Sequence, residues 1–485
     1  MKHHHHHSSS RRGAGSAATA VHAPGWVEGI AALSDSSPAT ALMVDSPRNP
    51  GAAAPLPSGV APDSAALLDH AAELLAAEVE AMGELTLQLG MPGAGWGPAP
   101  LGPAALAAAL ERLTAAADAA GADLTVLRQR PLPPDVLAGT SAGAAGALSP
   151  RGGSGGGEAG APVSGGAPAG SADAAAQQEG CGGYVLADVL VRQRSKPRPP
   201  LEVRVAVVGN VDSGKSTLVG VLTRSTLDDG RGLARSKVFK HHHEETTGRT
   251  SSIGQHNLCL DSQGGVLNDQ MFRNSSCSDY VARSSKVITL VDLAGHEKYF
   301  RTTAYGLTGH LPDYACMMLG ANMGVVGMAK EHLGVALALK VPVFFIVTKT
   351  DICPEHVLKQ TLASLASILR KPGVRKRPFL VRSIDDALLA ARVMGAEALA
   401  PIFLTSAVTG AGLDLVRLFY SLLPQRQRWA ELRGEPAMFI IDEVFGVPGV
   451  GTVVAGTLKR GVLTPASSLL LGPDIADGSF KRSTS

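Results

Sequence analysis

Residues 203–216 read VRVAVVGNVDSGKS, an apolar run that ends in a glycine-containing loop and continues into the helix-forming segment STLVGVL. The pattern G-x-x-x-x-G-K-[ST] between a strand and a helix is typical of a phosphate-binding loop. We expect Gly209 and Gly214 to let the backbone N–H groups turn inward around an anion. Lys215 would then reach the β- and γ-phosphates, and the Ser216 hydroxyl would ligate Mg²⁺. A chance glycine turn is the alternative, which the order of strand, loop and helix disfavours.

Segments with the character of strands and helices alternate after this loop. Strands are predicted at 286–292, 314–319 and 341–347 and in FLVRS and PIFLTS, and helices at 327–339, 355–370, 384–394 and 413–423. Near-continuous apolar strands that alternate with helices predict an α/β fold with a mostly parallel sheet covered on both faces. Ligands bind at the carboxyl ends of the strands in such sheets, so we expect the site there.

The sequence DLAGH, residues 292–296, ends the next strong strand and completes a nucleoside-triphosphate switch. We expect Asp292 to hold Mg²⁺ through a water and the Gly295 N–H to sense the γ-phosphate. His296 would orient the attacking water, because phosphoryl transfer depends on positioning more than on covalent chemistry. An ordinary surface histidine is the alternative, which the position directly after D-x-x-G disfavours.

The segment HHHEETTGRTSS, residues 241–252, lies between these two motifs. A Thr hydroxyl that reaches Mg²⁺ only beside a γ-phosphate is the usual first switch of such sites. Thr250 is the predicted residue, with Thr246 and Thr247 as nearby alternatives. The histidines at 241–243 could instead form a metal cluster. Adjacent residues share neither a helix face nor a strand face, so a solvated loop is favoured.

Two further loops predict which base is bound. TKTD, residues 348–351, follows the apolar run VPVFFIV and has Thr348 where Asn-Lys-x-Asp has its Asn. Asp351 would accept hydrogen bonds from guanine N1–H and the 2-amino group, whereas adenine would leave a buried carboxylate unpaired. In TSAVTG, residues 405–410, Ser406 would support the loop and the Ala407 N–H would donate to guanine O6. The predicted base is therefore guanine.

The predicted nucleotide contacts fall into groups. The phosphate loop contributes Gly209, Asn210, Val211, Asp212, Ser213, Gly214, Lys215, Ser216 and Thr217, and the second switch contributes Asp292, Leu293, Ala294, Gly295 and His296. The base loops contribute Thr348, Lys349, Thr350, Asp351, Ser406, Ala407 and Val408. The Mg²⁺ ligands would be Ser216, Thr250 and Asp292, and the catalytic residue would be His296.

Composition argues against several other classes of protein. The formal net charge of +2 is too small to indicate nucleic-acid binding by charge alone. Five cysteines without a CxxC pair argue against a disulfide framework or a thiolate zinc site, and they favour a reducing compartment. No apolar run approaches the roughly 18 residues of a membrane span. The N-terminal MKHHHHHSSSRR resembles a purification tag, although a natural His run is the alternative.

The chain divides into regions of different composition. Residues 1–60 are low in complexity and predicted to be disordered, with a transit peptide in 10–50 as an alternative that acidic residues disfavour. Apolar residues recur at helical spacing from Leu68 to Leu89 and again from Leu106 to Ala117, which predicts two helices that form a small hairpin or, as the alternative, a docking element for the main domain. The predicted regions are therefore a hairpin at 61–130, a flexible linker at 131–183, a nucleotide-binding domain at 184–430 and a partial β-barrel at 436–485.

The order of these motifs resembles that of the translational GTPases, the group of elongation factor Tu and elongation factor 1-alpha. The residues that carry the resemblance are GNVDSGKST, DLAGHE and SAV. Longer segments, among them GRTSSIG, VITLVDLAGHEKY, VFFIVTKTDICP and VPGVGTVVAGTLKRG, are similar to the GTP-binding protein 1 and 2 subfamily over residues 184–473. That subfamily itself carries Thr-Lys-x-Asp, so the resemblance implies that Thr348 is a family trait.

The resemblance implies an Mg²⁺-dependent switch in the cytoplasm that hydrolyses GTP to GDP and phosphate. It implies partners among the ribosome, tRNA and the mRNA-decay machinery, and it places the switch residue at Thr250 and the hydrolytic histidine at His296. Two alternatives stay open. One is a GTP-binding adaptor in RNA turnover or ribosome surveillance with little hydrolysis. The other is the GTPase subunit of a sulfate-activating enzyme, which TKTD and LDDGRG disfavour.

Two features depart from the pattern of the family. Elongation factor Tu has a Val and an Ile that form an apolar gate before the catalytic His, whereas this chain keeps Val211 and has Arg249 at the Ile position. We therefore expect hydrolysis to be controlled differently. FIIDEVFGV and TVVAGTLKRGVL resemble the first strands of a β-barrel second domain, yet 50 residues remain from Pro436. A truncated product with a partial barrel is expected.

Overall fold

The structure is a computed structural model of the chain, and its described residues begin in the N-terminal helices. They are 64–91, 100–132, 183–196, 198–239, 244, 250–270, 276–396, 398–426, 429–465, 467–474 and 477–484. The predicted disordered region, residues 1–60, and residues 133–182 of the predicted linker lie outside this set. These two assignments therefore stay predictions. None of the described helices is long and apolar enough to cross a membrane.

An N-terminal α+β module precedes the large sheet. Its elements are α1 Ser64–Met82, β1 Glu84–Leu89, α2 Pro103–Ala119, β2 Ala122–Pro131 and β3 Val185–Gln193. β3 lies between β1 and β2 and is antiparallel to both. The two helices pack on one face of this sheet, where Leu75, Leu113 and Val189 are fully buried.

The prediction of a helical hairpin over 61–130 is wrong in part, because each helix leads into a strand. Gly83 follows α1 at φ +77°, in the left-handed region that favours glycine. ELTLQL then alternates polar and apolar side chains, so Leu89, which was predicted on a helix face, lies in β1. The predicted start of the nucleotide-binding domain at residue 184 is also too early. Val185–Gln193 form β3, the central strand of the N-terminal sheet, and the large sheet begins with Leu201.

A seven-stranded sheet forms the centre of the chain. Its strands are β4 Leu201–Gly209, β5 Gly254–Leu260, β6 Lys286–Asp292, β7 Tyr314–Gly320, β8 Val343–Thr348, β9 Arg377–Leu380 and β10 Leu399–Leu404. They lie in the order β5-β6-β4-β7-β8-β10-β9, and every neighbouring pair is parallel except β5 with β6. This arrangement confirms the predicted α/β fold with a mostly parallel sheet.

Helices cover both faces of this sheet. They are α3 Lys215–Arg224, α4 Leu233–Ser236, α5 Cys277–Arg283, α6 Phe300–Gly309, α7 Gly327–Ala338, α8 Glu355–Leu369, α9 Ile384–Val393 and α10 Leu413–Leu422. Successive side chains of a strand point to opposite faces. Phe344 therefore packs with α3, α9 and α10, whereas its neighbour Phe345 packs with α7 and α8. The sheet is thus buried on both sides.

Buried ion pairs join the N-terminal module to the large sheet. Glu84 in β1 accepts hydrogen bonds from Arg192 Nε at 3.0 Å and from Lys286 Nζ at 2.5 Å. The Lys286 ammonium also donates to the carbonyls of Ser421 and Leu423 at the end of α10. Both basic side chains are fully buried. Burial lowers the pKa of Lys286 to about 8, and the Glu84 carboxylate opposes that shift.

Two strand pairs follow the short helix α11 Trp429–Leu432. They are β11 Met438–Val447 with β12 Gly451–Arg460, and β13 Ser468–Leu471 with β14 Lys481–Thr484, and both pairs are antiparallel. The region predicted as a partial barrel therefore contains strands, in two separate sheets. Asp442 in β11 accepts a hydrogen bond from the Tyr305 hydroxyl in α6 at 2.7 Å, so this region contacts the helix that follows DLAGH.

Candidate functional site

The phosphate loop begins where β4 ends. Gly209 has φ +151° and Gly214 has φ +83°, both in the region that favours glycine. A Cβ on Gly209 would lie 2.3 Å from the Met318 carbonyl oxygen, and one on Gly214 would lie 3.4 Å from Thr348 Oγ1. The loop therefore packs closely against the ends of β7 and β8, in a conformation that requires these glycines.

Lys215, the first residue of α3, is buried beneath the loop. Its Nζ donates to the carbonyls of Asn210 at 2.7 Å and Gly209 at 3.2 Å. Burial lowers the pKa of Lys215 to about 8, while the carboxylates of Asp292 and Asp212 oppose the shift. The ammonium thus lies inside the curve of the loop, at the place where an anion would be held.

Three oxygen-bearing side chains meet beside this ammonium. Ser216 Oγ donates to Asp292 Oδ2 at 2.6 Å and lies 2.6 Å from Thr250 Oγ1. The other carboxylate oxygen, Asp292 Oδ1, is buried and has no hydrogen-bond partner among the described residues. Burial raises the pKa of Asp292 to about 6, although the hydrogen bond from Ser216 opposes that shift. The residues predicted to ligate Mg²⁺ are therefore brought together.

This cluster has the donor set of a hard divalent cation. Mg²⁺ prefers oxygen ligands, which the two hydroxyls and the carboxylate supply. A buried acceptor without a partner needs an explanation, and an ion or ion-bound water at Asp292 Oδ1 supplies one. Within the described residues there is no group of three His, Cys, Asp or Glu side chains that could hold a metal ion. The residues present fit Mg²⁺.

His296 is partly exposed and lines the cleft beside the phosphate loop. Its Nδ1 accepts a hydrogen bond from the Lys298 N–H at 3.1 Å, so the neutral ring carries its proton on Nε2. A Cβ on Gly295 would lie 2.3 Å from Lys215 Nζ, so glycine allows the second switch to approach the ammonium. Leu293 and Ala294 are buried behind them. The lining of the cleft includes Val211, Lys215, Thr217, Thr250, Gly295 and His296.

The TKTD loop follows β8 and leans on the phosphate loop. Thr348 is buried, and its Oγ1 donates to the carbonyls of Ser213 at 2.8 Å and Leu319 at 3.2 Å. Lys349 adopts φ +61°, a left-handed conformation that redirects the chain. Asp351 is exposed at the end of the loop. Thr348 therefore holds the loop in place, and Asp351 stands at the surface where a base could reach it.

The second base loop lies against the first. Thr350 donates its N–H and its hydroxyl to the Thr405 carbonyl, at 3.3 and 3.1 Å. Ser406 is fully buried, and its Oγ accepts the N–H groups of Val408 at 3.3 Å and Thr409 at 3.1 Å. The Ser406 side chain thus shapes the turn in which Ala407 and Val408 lie. The two loops predicted to bind guanine therefore meet at the carboxyl ends of β8 and β10.

Residues 202–425 match the family described as the elongation factor Tu GTP binding domain. Over this stretch, slightly less than half of its length, the chain is similar to the GTP-binding domains of that family. The match begins in β4 and ends just after α10, so it contains the whole seven-stranded sheet and its helices. The N-terminal module lies outside it.

Curated relatives match a longer part of the chain than the family does. GTP-binding protein 1 from Xenopus laevis is 52% identical over 300 residues, which are 61% of this chain and 45% of the relative. GTP-binding protein 2 from Mus musculus is 45% identical over 300 residues, 61% of this chain and 49% of the relative. The selenocysteine-specific elongation factor from Haemophilus influenzae is 29% identical over 38% of this chain and 25% of its own length. The predicted resemblance to the translational GTPases is confirmed, and this chain spans about half the length of the first two relatives.

Glu244 lies in the matched residues 202–425, and the motifs did not indicate it. Its Oε1 accepts the N–H and hydroxyl of Ser251 at 2.8 and 2.9 Å, and those of Ser252 at 3.1 and 3.0 Å. Glu244 is 1% exposed. These bonds fix the two residues that follow Thr250, and so they set the place of the Thr250 hydroxyl. The sequence signal is an acidic residue seven positions before a Ser-Ser pair.

Several predictions for the first switch fall outside the described residues. These concern the histidines at 241–243, the alternatives Thr246 and Thr247, and Arg249 at the gate position. They stay predictions. Val211, the other gate residue, lines the cleft with His296.

Proposed function

We propose that residues 202–425 form a GTP-binding domain that binds GTP together with Mg²⁺, hydrolyses it to GDP and phosphate, and serves as a switch between the two states. The observation that carries the proposal is the cluster of Ser216, Thr250 and Asp292 beside the buried Lys215, in which Asp292 Oδ1 has no hydrogen-bond partner among the residues that the structure describes. The family match of residues 202–425 supports guanine nucleotide as the ligand.

The side chains of the cluster have separate tasks in this proposal. Ser216 and Thr250 would hold Mg²⁺ through their hydroxyls, and Asp292 would hold it through a water. The bound ion neutralises charge on the β- and γ-phosphates. Lys215 would turn from the loop carbonyls to the phosphate oxygens, where burial strengthens its attraction. The Gly295 N–H would donate to the γ-phosphate and connect the second switch to the bound nucleotide.

His296 would position the attacking water. Because Nδ1 already accepts the Lys298 N–H, the neutral ring has only the Nε2–H available to face the cleft. A ring in this state donates a hydrogen bond and does not take up a proton at that atom. Its contribution is therefore orientation of water next to the γ-phosphate, as phosphoryl transfer requires.

Guanine would be read by Asp351 and by the backbone of Ala407. The experiment that tests the proposal is competition binding of GTP, GDP, XTP and ATP to the full chain with and without Mg²⁺, followed by single-turnover hydrolysis of GTP. We expect a guanine preference of about a thousandfold or more, because a mismatched base would cover the exposed Asp351 carboxylate from water without offering it a hydrogen bond. Comparable affinity for ATP would overturn the assignment of the base.

We further propose that the partner of the switch belongs to translation and that the chain acts in the cytoplasm. The relative named a selenocysteine-specific elongation factor supports the ribosome or tRNA as that partner. The mRNA-decay machinery is the second candidate. Hydrolysis measured with added ribosomes, tRNA or mRNA separates them, and a rate that none of the three changes would contradict both.

A further inference from the structure

The loop before α4, LDDGRG at residues 227–232, is held by its own carboxylates. Asp228 Oδ1 accepts the Ala234 N–H at 2.9 Å, and Asp229 Oδ1 accepts the Leu233 N–H at 3.2 Å. These bonds satisfy the first backbone donors of the four-residue helix α4. The loop therefore has a defined conformation.

Two contacts fix this loop relative to the nucleotide site. The Asp228 N–H donates to the Ala407 carbonyl at 3.0 Å, in the predicted base loop. Ala234 is 1% exposed and packs on α3, where a Cβ on Gly220 would lie 2.2 Å from the Ala234 carbonyl oxygen. Because α3 begins at the phosphate loop, this contact also fixes the residue after Ala234 relative to that loop.

That residue is Arg235, which lines the same cleft as Lys215, Thr250 and His296. A Cβ on Gly232 would lie 2.4 Å from Arg235 Nε and 3.0 Å from its Nη2. The guanidinium thus lies over Gly232, and the absence of a side chain there gives it room. Arg235 is partly buried and makes no ion pair with any other residue of the described part of the chain.

We propose that Arg235 is a phosphate-contacting catalytic residue, an arginine supplied by the chain itself to stabilise charge during GTP hydrolysis. This inference rests on the proposed function and assigns a further residue to the same site. A guanidinium stays charged at all relevant pH values and presents a planar set of donors that matches phosphate oxygens. Its place on a short helix that packs on α3 keeps it beside the cleft.

The reaction that Arg235 would assist is an in-line displacement. The oxygen of water forms a bond to the γ-phosphorus, and the bond from that phosphorus to the β–γ bridging oxygen breaks. The bond's electron pair stays with GDP. Of the two water protons, one remains on the hydrogen phosphate product and the other passes to solvent. Arg235 would donate to the oxygens on which negative charge increases.

The test compares Arg235→Ala and Arg235→Lys with Arg231→Ala in the full chain. Arg231 is an exposed arginine of the same loop and does not line the cleft, so it controls for loss of surface charge. We expect Arg235→Ala to lower the single-turnover rate on the order of a hundredfold. The rate of Arg235→Lys should be intermediate, since a lysine keeps the positive charge but loses the planar set of paired N–H donors. Affinity for GDP should change by less than about threefold, because the stabilised charge is absent from GDP.

A binding measurement separates catalysis from folding. GDP with aluminium fluoride imitates the transferring phosphoryl group, and we expect Arg235→Ala to lose affinity for it while GDP affinity and the thermal midpoint are kept. Rates and analogue binding equal to those of Arg231→Ala would overturn the assignment of Arg235 and leave the proposed function standing. A wild-type chain that binds and hydrolyses no GTP would instead remove the proposed function itself, and Arg235's role with it.

Discussion

Thr348 Oγ1 donates to the Ser213 carbonyl at 2.8 Å, and this bond joins the end of β8 to the phosphate loop. A Cβ on Gly214 would lie 3.4 Å from the same hydroxyl, so the two loops are in direct contact. The short Thr side chain thus ties the TKTD loop to the phosphate loop through its hydroxyl. The TKTD loop keeps its place without the Asn, because the neighbouring backbone is close enough for a hydroxyl to reach.

Thr348→Val tests this connection by removing the hydroxyl and keeping the shape. The Ser213 carbonyl would lose this hydrogen bond, so we expect a loss of roughly 1–2 kcal/mol in the free energy of unfolding and weaker binding of both GTP and GDP. Thr308→Val is the control, since the exposed Thr308 hydroxyl bonds, among the described residues, to carbonyls of its own helix alone. Denaturant titration and nucleotide binding give the readout, and equal effects of the two variants would contradict the prediction.

Asp351→Asn tests the reading of the base. Xanthine carries a carbonyl where guanine carries its 2-amino group, so an amide donor at position 351 would suit xanthine. We expect GTP affinity to fall by about a hundredfold or more and XTP affinity to rise, because each mismatched polar pair leaves a group unsatisfied. Competition binding of GTP and XTP measures this change in base preference. An unchanged preference for GTP would show that Asp351 does not contact the base.

His296→Ala tests the positioning of water. We expect GTP and GDP affinities to stay nearly constant while the single-turnover rate falls by about a hundredfold or more, since the ring acts on water and not on the nucleotide. His356→Ala, an exposed histidine in α8, is the matched control. A His296→Ala chain that hydrolyses GTP at the wild-type rate would favour the adaptor alternative.

Asp292→Asn should change the pH dependence of stability. The pKa of Asp292 is about 6 in the folded chain against an ordinary value of 3.8. Between these values the folded chain binds a proton that the unfolded chain lacks, so stability falls as pH rises through this window. The ionised carboxylate costs roughly 3 kcal/mol above it.

The variant removes that cost. Without Mg²⁺, we expect Asp292→Asn to unfold at a higher temperature than wild type near pH 8, and at the same temperature near pH 4. Stabilisation by added Mg²⁺ and GTP should be lost. Asp414→Asn is the control, because its carboxylate is 96% exposed. A lower unfolding temperature for Asp292→Asn near pH 8 would contradict the assigned direction.

Glu84→Gln tests the contact between the N-terminal module and the sheet. The change leaves the buried Arg192 and Lys286 without the carboxylate that both contact, so we expect a loss of about 3–5 kcal/mol in the free energy of unfolding. Glu111→Gln, on the exposed side of α2, should have no measurable effect. Denaturant unfolding measures both variants, and a small effect at Glu84 would mean that the ion pairs do not stabilise the contact.

The sequence alone predicted the parts of the site that depend on local order. The predicted phosphate loop is one continuous stretch from Gly209 to Thr217, and spacing along the chain is enough to bring its glycines, Lys215 and Ser216 together. The sequence also predicted the sheet, because strands that are buried on both faces appear in the sequence as apolar runs between helices. Parallel strands align their carboxyl ends, which explains why DLAGH and TKTD come near the loop.

The tertiary structure decided what depends on contacts between distant segments. β3 pairs with β1 across a separation of 108 residues at Glu84 and Arg192, and no local periodicity records such a pairing. The same holds for Glu244, whose carboxylate gains its role only when the chain folds back onto Ser251. Local motifs indicate which chemistry a chain can perform, because the residues of a phosphate loop are neighbours in the sequence. Strand pairing, buried ion pairs and the place of Arg235 arise from packing, because only packing sets distances between residues far apart in sequence.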